Sequence, residues 1–201
     1  MISSFLRWFL PFYFMAFLFV ALILRTLLVA RQIGKSPLIF PRTDTVYGLT
    51  GFYFKAALAV LFALMIGLGI VPQWYDFMFP LHQLEHSSMQ QVGIGIMLLA
   101  FVLVSVAQAQ MRDSWRIGID TRTKTNLVTR GLFQYSRNPI YLGILLCLLG
   151  LIFVLPCAFT LFLFILVYVL LQIQIRLEEE HMYNLHNETF RAYQKQVRRW
   201  I

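Results

Sequence analysis

Five long apolar stretches, separated by shorter polar ones, set the pattern of the chain. They cover residues 8–30, 51–71, 92–110, 140–155 and 157–176. A helix needs about 20 apolar residues to cross a bilayer, and flanking Tyr, Trp, Lys and Arg side chains extend the shorter stretches to the interfaces. The pattern predicts an all-α membrane protein with about five transmembrane helices.

The last two stretches are separated by Pro156, which interrupts a helix and predicts an antiparallel hairpin. The polar segments 111–141 and 176–201 flank this hairpin, so we expect both at one membrane face. Apolar residues at helical spacing predict an amphipathic C-terminal helix that packs on the domain or lies in the interface; they are Met182, Leu185, Phe190, Tyr193, Val197 and Trp200. Arg198 and Arg199 are expected near anionic lipid head groups.

Composition narrows the class of protein. The chain has 201 residues, of which 59% are hydrophobic and 13% charged, and its mean hydropathy is +0.70. A soluble domain contains about 45–50% apolar and about 25% charged residues, so a water-soluble enzyme, a disordered chain and a disulfide scaffold are excluded. The chain carries neither repeats nor low-complexity segments, and residues 1–201 are expected to form a single membrane domain.

Charge sets the expected orientation. The chain carries 17 Lys and Arg against 9 Asp and Glu, a formal net charge of +8. The segment 72–91 has no Lys or Arg, whereas the two neighbouring loops and the tail are basic. The positive-inside rule therefore predicts an outer N-terminus and a cytoplasmic C-terminus. Topology accounts for the basic charge, so no nucleic-acid partner is expected. A plasma or inner membrane and the endoplasmic reticulum both fit, and the oligomeric state stays open.

The two polar segments that flank the hairpin bring charged and aromatic side chains close together. Arg137 and Asn138, with Tyr141, should approach Arg176 and the acidic run 178–180 across the hairpin. A polar pocket at the membrane face is one interpretation. Arg137 as a snorkelling anchor and the acidic run as a solvated face are the structural alternatives.

Two motifs carry a family resemblance. Residues 127–143 read LVTRGLFQYSRNPIYLG, and Glu178-Glu179 opens the tail, followed by Met182, His186-Asn187, Phe190 and Tyr193. This pair of motifs resembles the isoprenylcysteine carboxyl methyltransferase family, within the wider group of membrane methyltransferases that includes phospholipid N-methyltransferases. Asn138 stands where the eukaryotic enzymes usually have His, and Asn187 stands where Gly is common. Because Asn does not titrate, the first difference argues against a proton-transfer role.

The resemblance implies S-adenosylmethionine as methyl donor, bound at the cytoplasmic face under the C-terminal helix. The residues it implies for donor binding are Tyr135, Arg137, Asn138, Pro139, Tyr141, Gly143, Glu178 and Glu179. Carboxylates and aromatic faces suit the donor's sulfonium and ammonium groups, and Arg137 suits its carboxylate. Pro139 would fix the entry into the fourth helix, and Gly143 would let a ligand or a helix approach closely. Arg116 and Arg176 are candidates to orient a carboxylate acceptor.

The expected acceptor is lipophilic, with carboxyl methylation of an isoprenylcysteine-like substrate as the favoured reaction. Three alternatives stay open: a phospholipid or amine N-methyltransferase, an NADPH-dependent enzyme similar to the sterol reductases, and a noncatalytic lipid-binding protein.

Smaller features receive structural interpretations. Residues 82–86 read HQLEH, which matches an inverted zinc-protease pattern, but an ordinary surface helix is favoured. Arg25 reads as a snorkelling helix end. Gly93 and Gly95 favour close helix packing.

Overall fold

The computed structural model describes residues 3–38, 45–118 and 126–201, and most of this part of the chain is helical. The helices are α1 (Ser4–Leu18), a π-helix (Phe19–Leu24), α2 (Arg25–Ile33), α3 (Val46–Ile70), α4 (Ser87–Met111), α5 (Pro139–Val154), α6 (Ala158–His186) and α7 (Glu188–Gln196). Among the described residues, extended pairing is limited to two isolated bridges. The predicted all-α fold class is confirmed.

Four continuous apolar helices are long enough to cross a membrane: Ser4–Ile33, Val46–Ile70, Ser87–Ser114 and Ala158–His186. The first of them joins α1, the π-helix and α2 over 30 residues. The 16 residues of α5 extend about 24 Å, less than the roughly 30 Å of a hydrocarbon core. The chain is thus a multi-pass membrane protein, while the crossing of α5 and the orientation stay predictions.

Helices α4 and α5 pack closely at glycines. A Cβ on Gly93 would lie 2.6 Å from the Gly150 carbonyl oxygen, and one on Gly143 would lie 2.5 Å from Cγ2 of Val104. Close packing is therefore confirmed at Gly93. It is wrong at Gly95, where a Cβ would meet nothing within 4 Å.

The loop after α3 and the tip of the α5–α6 hairpin meet at one end of the helix bundle. Leu81 N–H donates to the Pro156 carbonyl at 2.8 Å, and the Arg7 Nε–H donates to the Gly69 carbonyl at 2.5 Å. His82 Nδ1 lies 2.9 Å from Glu85 Oε1, within a short 3-10 segment. The described residues contain no group of three His, Cys, Asp or Glu side chains that could hold a metal ion.

The other end, called the site end below, joins the start of α2, the C-terminal parts of α4 and α6 and the start of α5. Gln108 Nε2 donates to the Ala21 carbonyl of the π-helix at 3.0 Å. Arg25 Nη2 donates to the Arg112 carbonyl at 2.5 Å, where the chain turns with a φ of 49°. Arg25 is only 8% exposed, so the prediction that it snorkels is wrong. Its guanidinium binds a turn of the protein instead of reaching toward water.

The chain breaks its last helix at Asn187, whose φ of 48° is positive. Positive φ is the backbone region that Gly and, less readily, Asn tolerate. Phe190, Tyr193 and Val197 are buried together, packed against Leu127 and Met182. The predicted packing of an amphipathic C-terminal helix on the domain is confirmed. The helix is shorter than its periodicity indicated, because it ends at Gln196 and leaves Val197 extended.

Candidate functional site

Arg137 and Glu179 form the centre of the site end. The Arg137 Nη2 and Nε atoms lie 2.7 and 3.1 Å from Glu179 Oε1, and their side chains are 11% and 13% exposed. Helix α5 begins just after Arg137, and Glu179 lies in the last third of α6. The antiparallel hairpin therefore brings together two residues that are far apart in sequence. A charge pair this far removed from water is stabilised only with close geometry, which this pair has.

Arg199 is a second cation on the same carboxylate. Its Nη2 lies 2.6 Å from Glu179 Oε2, and its Nε lies 3.2 Å from Oε1. The Glu179 carboxylate raises the pKa of the Arg199 guanidinium above its usual range. Arg199 therefore packs on the protein, and its expected place near lipid head groups stays a prediction.

Arg137 also fixes the backbone that follows α7. Its Nη1 donates to the Val197 carbonyl at 2.6 Å and to the Gln194 carbonyl at 3.3 Å. Its own N–H donates to the Arg198 carbonyl at 3.0 Å. Most of its guanidinium donors thus have acceptors within the protein. To bind a ligand carboxylate, Arg137 would have to exchange one of these partners.

Asn138 continues this attachment. Its Nδ2 donates to the Arg199 carbonyl at 3.1 Å, and Ser136 Oγ lies 3.4 Å from the same oxygen. A donor is what this position needs, and an amide supplies it without titrating.

Glu178 has different partners from Glu179. Its Oε1 accepts from the Tyr141 hydroxyl at 2.5 Å and from Gln174 Nε2 at 2.7 Å. Both donors are neutral, and within the described part of the chain no Lys, Arg or His forms an ion pair with Glu178. The two adjacent carboxylates therefore differ in charge balance. The charge of Glu179 is neutralised by two guanidinium groups, and Glu178 can attract a cation.

The C-terminal helix is attached to the same region through Tyr193. Its hydroxyl donates to the Phe133 carbonyl at 2.5 Å. Burial raises the pKa of Tyr193 to about 12, so the hydroxyl stays protonated and remains a donor.

Two of the predicted site residues point away from this cluster. Tyr135 is 66% exposed at the surface. Arg176 is also exposed, and its Nη1 donates within its own helix to the carbonyl and side chain of Gln172. The structure does not join either residue to the Arg137–Glu179 pair.

Three further predicted residues occupy structural positions. Pro139 is the first residue of α5, as its fixed φ favours. Gly143 lies against Val104, so a helix approaches it rather than an open space. Arg116 Nη1 donates to the carbonyls of Asp113 and Trp115, while its Nε is buried without an acceptor among the described residues.

Sequence reasoning missed Arg199 and Gln174. Gln174 stands four residues before Glu178, and this helical spacing could have identified it as a partner. Arg199 carried no such signal. It reaches Glu179 only because the chain leaves α7 and lies along residues 136–138.

The fold and the site together define a class: a multi-pass helical membrane protein with a buried polar cluster at one end of its bundle. The sequence profile of the phospholipid methyltransferase family matches residues 89–189, half of the chain. The protein therefore belongs to this family. The matched residues include most of α4 and all of α5 and α6, and thus Arg137, Tyr141 and the two glutamates of the cluster, while Arg199 lies beyond them.

A solved structure shares the fold. It is a eukaryotic intramembrane Ras methyltransferase, isoprenylcysteine carboxyl methyltransferase, with a TM-score of 0.54 and 16% identity. The match covers 92% of this chain but only 64% of that one. At this identity the likeness concerns the fold alone. No curated protein sequence matches the chain.

Proposed function

We propose that the protein transfers a methyl group from S-adenosylmethionine to a lipophilic acceptor at the cytoplasmic face of a membrane. The favoured reaction is carboxyl O-methylation of an isoprenylcysteine-like acceptor. The observation that carries the donor assignment is Glu178, a carboxylate held by two neutral donors, next to a neighbouring carboxylate that is already neutralised.

The residues present fit the donor. When bound, S-adenosylmethionine supplies a methyl group on a positively charged sulfur, and it also carries an ammonium group. Glu178 offers these cations a negative charge that no described side chain compensates, and the ring of Tyr141 lies beside it. Carboxylates and aromatic rings are the groups that bind such cations.

Arg137, Asn138 and Glu179 serve the donor site in a second way. Arg137 and Asn138 attach the segment after α7 to the start of α5 by donating to the carbonyls of Val197 and Arg199. Glu179 holds the same segment by accepting from the guanidinium of Arg199. In this proposal the attached segment covers the donor and excludes water. These three are then positioning residues, with Arg137 able to turn a donor N–H to the ligand's carboxylate.

Methyl transfer is an in-line displacement that depends on positioning and on a desolvated nucleophile. A carboxylate oxygen of the acceptor forms the new bond to the methyl carbon, and the pair of electrons of the broken bond stays on sulfur. No proton moves, so the non-titrating Asn138 is compatible with the reaction. A cation must orient the acceptor. Arg116, whose buried Nε has no acceptor among the described residues, is better placed for this than Arg176, which donates to Gln172.

The second candidate is a phospholipid N-methyltransferase, favoured by the family match over residues 89–189. An amine acceptor carries a proton that must leave before it attacks. Glu178, whose bonds among the described residues are to neutral groups, is the residue that would accept this proton or attract the protonated amine.

The experiment supplies labelled S-adenosylmethionine to the protein in vesicles of phosphatidylcholine. One arm adds a farnesylated cysteine with a free carboxylate, and the other adds phosphatidylethanolamine. Base-labile label in the first arm supports the carboxyl transfer, and base-stable label in the second supports N-methylation. Label in neither arm, from protein that binds the donor, would reject both acceptors.

A further inference from the structure

A buried arginine lies within the first apolar helix, outside the site described above. Arg25 is only 8% exposed. Its Nη2 donates to the Arg112 carbonyl at 2.5 Å, and its Nε is buried without an acceptor among the described residues. One charged group of this helix is therefore removed from water with its hydrogen bonds incomplete.

Trp115 and Arg116 complete this cluster. The Arg25 Cζ atom lies 5.8 Å from the centre of the Trp115 ring, and Trp115 is 3% exposed. Arg116 donates to the Trp115 carbonyl at 2.8 Å, and its Nε is also buried without an acceptor in the described part of the chain. Arg25 thus lies over the buried indole ring, and Arg116 binds the backbone of the same residue.

Neither guanidinium pairs with a described carboxylate. The ion pairs of the described residues involve other groups, on Glu85, Glu179 and Glu188. Carbonyl dipoles and an aromatic face stabilise a cation only in part, and an uncompensated charge away from water is costly. Arg25 is such a charge, and Arg116 adds a second buried N–H without an acceptor in the described part of the chain, so this turn favours an anion. The planar N–H fork of Arg matches the oxygens of a phosphate or a carboxylate.

The surroundings indicate how the anion arrives. The side chains around Arg25 on the same helix are apolar and exposed: Ile23 52%, Leu24 38%, Leu27 54% and Leu28 42%. This face suits hydrocarbon, whereas Arg25 lies at the end of the bundle where the polar segments gather. A molecule with an oxyanion attached to a hydrocarbon chain would place the chain on the apolar face and the oxyanion at Arg25.

We propose that Arg25, Trp115 and Arg116 bind the oxyanion headgroup of a membrane amphiphile, with its hydrocarbon along the apolar face of α2. The site shares Arg116 with the proposed function, and it rests on that function where its anion is the carboxylate of the acceptor. Its oxyanion has two sources, the phosphate of an anionic phospholipid and the carboxylate of a lipid-linked acceptor.

The test titrates the detergent-solubilised full chain by calorimetry with two matched pairs of probes. The first pair is dihexanoylphosphatidylglycerol and dihexanoylglycerol, and the second is N-acetyl-S-farnesylcysteine and its methyl ester. We expect one anion to bind at least about tenfold more tightly than its neutral partner, since hydrogen bonds to charged groups have this size. The pair that shows the difference identifies the source of the oxyanion.

Variants assign the binding to the cluster. Arg25→Gln should weaken the bound anion at least about tenfold, while Arg31→Gln, which removes an exposed charge from the same helix, should change it less than about twofold. Arg116→Gln provides the same test if Arg25→Gln does not fold. Equal binding of both anions and their neutral partners would overturn the proposal, as would equal losses in Arg25→Gln and Arg31→Gln. Donor titration of the same samples separates this result from the proposed function, because Arg25→Gln should bind S-adenosylmethionine like the wild type.

Discussion

Two adjacent residues, Glu178 and Glu179, have the same side chain and different surroundings. Glu179 receives hydrogen bonds from two guanidinium groups, and Glu178 receives them from a hydroxyl and an amide. The difference arises because successive residues of a helix point about 100° apart. Glu179 therefore faces the C-terminal segment and holds it in place. Glu178 faces Tyr141 and is the carboxylate that we propose binds the methyl donor.

Arg137→Ala and Glu179→Gln should each weaken donor binding at least about tenfold without unfolding the helices. Each change leaves a partner charge uncompensated in a region only slightly exposed to water, which typically costs about 3–5 kcal/mol, and much of this cost can be relieved by local release of the segment after Gln196. Calorimetry with S-adenosylmethionine measures the binding, and circular dichroism measures the helices. Wild-type affinity in both variants would remove these residues from the site.

Asn138→Asp tests the attachment at a single atom. The substitution keeps the size of the side chain but replaces the Nδ2 donor with an oxygen facing the Arg199 carbonyl, so we expect faster hydrogen exchange over residues 197–201. Asn184→Asp makes the same change on an exposed face of α6 and should leave this exchange as it is. Protection that is unchanged in Asn138→Asp would mean that the amide does not hold the segment.

Sequence reasoning found most of the residues of the site, but not all of their roles. Arg137, Tyr141 and the two glutamates were identified because their motifs flank a hairpin, and the hairpin determines their proximity. Arg199 was assigned to lipid because helical periodicity continued past Gln196, where the structure is extended. Gly143 was ambiguous between a ligand and a helix, and only the position of Val104 decided for the helix.

At the scale of the elements, α5 depends on α4 for its position. It is shorter than the four apolar helices that are long enough to cross a membrane, and Gly93 on α4 lets its backbone come close. The start of α5 carries Arg137 and Tyr141 into the site, so the packing of these two helices determines the geometry of the cluster.

Gly93→Ala should destabilise the protein by about 1–3 kcal/mol, because its Cβ would lie 2.6 Å from the Gly150 carbonyl oxygen. Gly95→Ala is a matched control two residues away, where a Cβ has open space, and it should leave stability unchanged or raise it slightly. Thermal unfolding in detergent compares the two. Equal midpoints would contradict close packing at Gly93.

The apolar elements were predictable from the sequence, while their ends were not. The stretches 51–71 and 92–110 fall on α3 and α4, which extend beyond them at their N-termini. The break at Asn187 was not predicted, since an amphipathic pattern with the same period continues on both sides of it. The break follows from packing: Phe190 and Tyr193 must reach Leu127, on a segment that leads to α5.

At the scale of the whole molecule, the two ends of the helix bundle carry different sets of charged residues. Asp76 and the His82–Glu85 pair lie toward the end with the hairpin tip, as does Arg7. Arg25, Arg137 and Arg199 lie at the site end with Glu178 and Glu179. The predicted orientation places the site end in the cytoplasm.

Labelling of single cysteines tests this orientation in sealed cells. Phe77→Cys lies at the hairpin-tip end on a side chain that is 80% exposed, and Arg198→Cys lies at the site end on an exposed residue. Cys147 and Cys157 are buried, which keeps the background low. An impermeant maleimide should label Phe77→Cys before lysis and Arg198→Cys only after it. The reverse order would invert the predicted topology.

The central claim is that Glu178 provides the charge for a methyl donor. Calorimetry of S-adenosylmethionine with the purified wild type, Glu178→Gln and Glu180→Gln tests it most directly, because Glu180 is the exposed neighbour on the same helix. The account predicts binding to the wild type, at least about tenfold weaker binding to Glu178→Gln, and a change below about twofold in Glu180→Gln. A wild type that does not bind the donor, or a Glu178→Gln variant that binds it equally well, would contradict the account.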